Sequence, residues 1–212
     1  MEIDSNDIEI TQENVFITDY KMKNSYDEEH RKQVEANVKE FKEIIKDIAE
    51  NDNVCGLKDH EQHHHSTRYA HCEAVAFYTY LLCKKYKLDY ISAARGAMLH
   101  DFYFYNWRNK HVEGQKKFHL LRHPKIALEN AEELFELNDM EKDIIVKHMW
   151  PITVIPPKFK EGYIVTLVDK YCAARDFFVS LKIQRKLKLL AEINNQDEQN
   201  EQVKIKDDTK DE

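Results

Sequence analysis

Apolar residues recur at steps of three and four along most of this chain, and that period assigns helices before any single residue is weighed. From Asp27 to Glu50 the stripe is Val34, Val38, Phe41, Ile45 and Ile48, an amphipathic helix that ends in the run from Asn51 to Gly56. Polar residues then continue to Ser66. Tyr69 to Tyr86 predicts a second helix, with Val75, Tyr78 and Leu82 on the side that carries His71. A third covers Tyr90 to about His100, turns Ala94 and Met98 inward, and leads into the aromatic run Phe102, Tyr103, Phe104, Tyr105 and Trp107.

His123-Pro124 predicts the opening of the next helix, because proline suits a first turn, and Ala127, Leu128, Ala131, Leu134 and Phe135 extend its apolar face. Asn138 followed by Glu141 reads as a capping box, and Pro151 stops that helix just after His148. A loop from Ile152 to Pro157 precedes a long helix from Glu161 to about Leu190, with Ile164, Leu167, Val168, Tyr171 and Cys172 expected inside. Residues 1–26 read as an acidic arm with Val15, Phe16 and Ile17 as anchors. Residues 194–212 have too little apolar content to repay ordering entropy and are expected to be a disordered polar tail. The expectation is an all-α fold: one helical bundle over residues 27–193.

Composition narrows the function. With 4 Gly and 4 Pro in 212 residues, a turn-rich sandwich or barrel is disfavoured. A net charge of −7 removes any general attraction for an extended nucleic acid, while a small nucleotide-like ligand in a local pocket remains open. No stretch approaches the ~20 apolar residues of a membrane span, and Met1 to Asp19 lacks the basic start and apolar core of a signal peptide. A cytoplasmic protein with no membrane partner is expected. Cys55, Cys72, Cys83 and Cys172 form no C-x-x-C pair and read as reduced thiols.

The histidines change the picture. His71, the His100-Asp101 doublet, His123, His148 and Asp169 each fall on the inward face or at the end of a separate predicted helix. Burying six such groups together is costly unless a cation pairs them. An adjacent His-Asp pair can bind through the imidazole and one carboxylate oxygen, leaving the other oxygen to bridge, which favours a binuclear site. Mixed nitrogen and oxygen donors suit Mn, Fe, Co, Ni or Zn.

The order H…HD…D, as RYAHC around His71, MLHDF around His100-Asp101 and LVDKY around Asp169, resembles the HD superfamily of metal-dependent phosphohydrolases. The resemblance runs from about Glu61 to Phe178, and LRHPKIALENA with VKHMWP resembles the two additional histidines of binuclear members. It implies that His71, His100, Asp101 and Asp169 hold a first ion, that Asp101 bridges, and that His123 and His148 hold a second. It further implies attack on a phosphate ester by a metal-activated water, with a small nucleotide-like phosphorylated substrate. The chain lacks the G-Y-P sequence of cyclic-dinucleotide phosphodiesterases after VKHMWP. A di-iron oxygenase on the same donor set, and a catalytically inactive metal or nucleotide sensor, are the alternatives.

Other candidates surround this set. Arg68, one turn before His71, reads either as a catalytic contact to substrate phosphate or as a surface ion pair. Lys147 and Lys170 adjoin proposed ligands but point about 100° away on their helices. His63, His64 and His65 read as a solvated loop. Phe102 to Trp107 reads mainly as core, with Trp107 and Arg108 as its exposed end.

Overall fold

Local capping sets most of the helix boundaries in a computed structural model of the chain, which describes residues 15–24, 27–63, 66–104 and 119–208. The order is α1 (Val15–Asn24), α2 (Glu28–Ile44), α3 (Lys46–Ala49), α4 (Asp52–Cys55), a 3-10 turn (Gly56–Asp59), β1 (Glu61–His63), β2 (Ser66–Thr67), α5 (Arg68–Lys85), α6 (Tyr90–Met98), α7 (His119–Glu132), α8 (Asp139–Lys147) and α9 (Lys160–Asp208). The fold is all-α. Its strands, among the described residues, are a short antiparallel pair within the polar segment before α5.

Side-chain oxygens start the helices by accepting otherwise unpaired amide protons. Asp27 accepts from His30 N at α2, Thr67 from Ala70 N at α5, and Asp89 from Ser92 N at α6. The expected capping box at α8 is present, with Asn138 and Glu141 each accepting the other's backbone N–H. The helix carrying His123 differs from expectation: it begins at His119, so Pro124 lies inside it. The preceding residues, including Leu120, Leu121 and Arg122, favour helix well enough to extend it upstream of the proline.

Helix α5 packs against α1, α2, α6 and α9. It therefore buries more than the single stripe expected for it. Tyr69, Ala70, His71, Cys72, Ala74, Val75, Ala76, Phe77, Tyr80 and Cys83 are all buried, whereas Leu82 is exposed. A helix that is apolar on most sides belongs at the centre of a bundle. On α9, Val165, Val168 and Cys172 are buried, but Leu167 and Tyr171 are 67% and 58% exposed, contrary to the sequence expectation. Neighbouring residues on a helix diverge by about 100°, so a run of adjacent apolar residues cannot all face one partner.

Both chain ends differ from expectation. Part of the 1–26 arm is α1, with Ile17 buried and Tyr20 edge-on to Phe77, while residues 1–14 lie outside the described residues. The segment from Asn194, expected to be disordered, continues α9 to Asp208. Its Glu, Gln and Lys content favours helix even without an apolar stripe; residues 209–212 lie outside the described residues.

Two contacts hold α6 and α8 in register. Arg95 of α6 donates from Nε to Glu141 of α8 at 3.0 Å and from both Nη atoms to Asp47 of α3 at 2.6 and 3.0 Å. Gly96 lets the helices approach, because a Cβ there would lie 3.1 Å from Ile144 Cγ2 and 3.2 Å from the Glu141 backbone. Gly96→Val should therefore cost about 1–3 kcal/mol by overpacking, read as a lowered urea midpoint with an unchanged slope.

Candidate metal centre

The turn after α6 carries His100-Asp101, and the turn after α8 carries His148; α5, α7 and α9 bring His71, His123 and Asp169 to the same place. All six residues predicted from sequence converge. His71 Nε2 lies 3.1 Å from Asp169 Oδ1, and His100 Nε2 lies 3.7 Å from the same oxygen and 3.8 Å from Asp101 Oδ2. On the other side, Asp101 Oδ1 lies 3.3 Å from His123 Nε2 and 3.7 Å from His148 Nε2. Two groups of potential ligand atoms result, His71 with His100 and Asp101, and Asp101 with His123 and His148, each gathered within 4.8 Å. Asp101 belongs to both.

The rings are aimed by what their other nitrogens touch. His100 Nδ1 lies 2.7 Å from Ala97 O and His148 Nδ1 lies 2.8 Å from Ile145 O. A carbonyl only accepts, so each Nδ1 carries a proton and each Nε2 points to the centre, where it offers a lone pair whenever the ring is neutral. The carboxylates of Asp101 and Asp169 favour the charged form of His100. His123 and His148 face each other through Nε2 atoms 3.0 Å apart, which requires a proton or a cation between them.

The residues around the centre also hold the loop after Asp101. Asn130 of α7 donates to Phe102 O at 2.9 Å, and Arg68 of α5 donates to Tyr103 O with its guanidinium 3.8 Å over the Tyr103 ring. Arg68 is 0% exposed, which removes the surface-ion-pair reading and makes it a support for this loop. Phe102 and Tyr103 are core, Phe104 is exposed, and Tyr105, Trp107 and Arg108 lie outside the described residues. So do His64 and His65. Lys147 pairs with Asp143, and Lys170 donates to Thr166 O at 3.2 Å.

Sequence reasoning missed Asp176, whose Oδ2 lies 3.8 Å from His71 Nδ1. Its spacing from Asp169, seven residues or two helical turns, was the available signal. The free thiols Cys72, Cys83 and Cys172 are buried, as expected, and burial pushes the Cys83 thiol up to about 12.

The charges interlock. Burial works against the His71 imidazolium, but the carboxylates of Asp169 and Asp176 outweigh it and lift its pKa to about 10. Burial and the nearby imidazoles His100 and His123 instead push His148 down to about 3. Against their own burial, Asp101 is held well below the usual carboxylate range by His100, His123 and His148, and Asp169 by His100 and His71. Carboxylates facing a mixture of charged and neutral imidazoles are a donor set that a divalent transition ion fits, and the ion would replace the protons that now hold these groups together.

That exchange sets a sign for pH. Metal-free protein binds a proton at His71 up to about pH 10, and the coordinated ring does not, so metal binding at neutral pH releases it. Affinity should rise with pH by about tenfold per unit for each proton displaced. Competition against a chromophoric chelator at three pH values reads the slope; a flat response means that His71 is not a ligand.

No known protein family, curated protein or solved structure matches this chain.

Proposed function

We propose that this chain is a metal-dependent phosphohydrolase of the HD type, acting on a small, nucleotide-like phosphorylated substrate. The observation that carries the reading is the sharing of Asp101 between two buried donor groups, the arrangement expected of a binuclear centre. Asp101 and Asp169 supply anionic charge in a buried setting, and His71, His100, His123 and His148 supply neutral nitrogen donors once deprotonated. In this reading His71, His100, Asp101 and Asp169 hold the first ion, and Asp101, His123 and His148 the second. Bound there, divalent ions polarise phosphoryl oxygens and lower the pKa of a coordinated water toward ~7.

The chain's own contribution is placement. Arg68 and Asn130 pin the loop that follows Asp101, Arg95 and Gly96 hold the end of α6 against α8, and the Ala97 and Ile145 carbonyls orient His100 and His148. Arg68 acts here on the loop through Tyr103. No helix among the described residues is long and apolar enough to cross a membrane.

Elemental analysis followed by an anaerobic phosphoester screen with Mn, Fe, Co, Ni and Zn tests the reading. Chelator-sensitive phosphate release is the expected result. Oxygen uptake with reduced iron and no phosphate release would instead make it a di-iron oxygenase, and metal binding without turnover would make it a sensor.

A further inference from the structure

We propose that Asp176 is the positioning residue of the first ion site, acting through His71; the inference rests on the metal-centre reading above. The three histidines whose second nitrogens can be traced are held in two different ways. His100 and His148 stand at helix ends, where the carbonyl three residues earlier is within 2.7 and 2.8 Å of Nδ1. That support is local and comes with the helix terminus. His71 is the fourth residue of α5, inside a continuing helix whose carbonyls are engaged by the ladder, so its second nitrogen needs a partner from elsewhere.

Helix α9 supplies one. Asp169 and Asp176 are two turns apart on one face, and they bracket the His71 ring: Asp169 Oδ1 is 3.1 Å from Nε2, and Asp176 Oδ2 is 3.8 Å from Nδ1. The Asp176 side chain is only 9% exposed, so its charge is little screened by water. At 3.8 Å the contact is electrostatic and longer than a hydrogen bond; a carboxylate there still favours the proton on Nδ1, which leaves the Nε2 lone pair for an ion and makes the ring a stronger donor. An isosteric amide keeps the shape and loses the charge.

The test uses the full chain freed of metal, with Co2+ as the probe, read by equilibrium dialysis and by visible ligand-field absorption. Asp176→Asn should weaken binding at the His71 site by about 10–100-fold and alter the absorption band, while Asp176→Glu recovers most of both. In a His71→Ala background, Asp176→Asn should cause no further loss, since its partner is gone. Unchanged Co2+ binding in Asp176→Asn overturns the inference, and so does an equal loss with and without His71, which makes Asp176 a general support of the fold. A wild-type chain that takes up no Co2+ overturns the metal-centre reading itself, and this inference with it.

Discussion

Asp101→Ala should remove most bound metal and lower phosphoester turnover by at least about 10³-fold, because the lost carboxylate is the one side chain common to both donor groups. Its Oδ1 faces His123 and His148, and its Oδ2 faces His100, so no neighbouring oxygen takes over both directions. Helical content should hardly change. Asp101 lies in the turn beyond α6, and that helix is started by Asp89. Metal analysis, turnover and far-ultraviolet circular dichroism on the same sample separate loss of site from loss of fold. A fully active Asp101→Ala variant would refute the site assignment.

Replacing either His123 or His148 by Ala should lower the metal-to-protein ratio from about two toward one and reduce turnover by about 10²–10³-fold. Both rings belong to the second donor group, and neither belongs to the group formed by His71, His100 and Asp101. The first ion should therefore remain. His148→Ala removes a ring already pushed toward neutrality, so it relieves no charge repulsion that would compensate for the missing donor. The assay should span a metal titration under anaerobic conditions, since excess metal can refill a weakened site. Wild-type stoichiometry and turnover in both variants would make the two histidines structural and the centre mononuclear.

Much of this arrangement is legible in one dimension. Helical period, the Asn138-Glu141 box and the proline after His148 locate α8 closely, because caps and periodicity depend on residues only a few positions apart. The same locality marks His71, the His100-Asp101 doublet, His123, His148 and Asp169 as titratable groups on or beside apolar helix faces. The placement of Pro124 was less legible, because a helix tolerates a proline in its body when its flanks favour the helix strongly enough.

The amino-acid sequence by itself determined the all-α class, the main helices and the six candidate ligands, since each of these rests on short-range spacing. Tertiary packing alone decided which faces of α5 and α9 turn inward, leaving Leu82, Leu167 and Tyr171 exposed and Arg68 buried on Tyr103. It also decided that Asp101 is shared between two groups, and that Asp176 reaches a histidine more than a hundred residues earlier in the chain. The physical reason is that periodicity fixes side-chain directions within one helix, whereas the rotation of one helix against another is set by how side chains such as Gly96 and Ile144 fill the space between them.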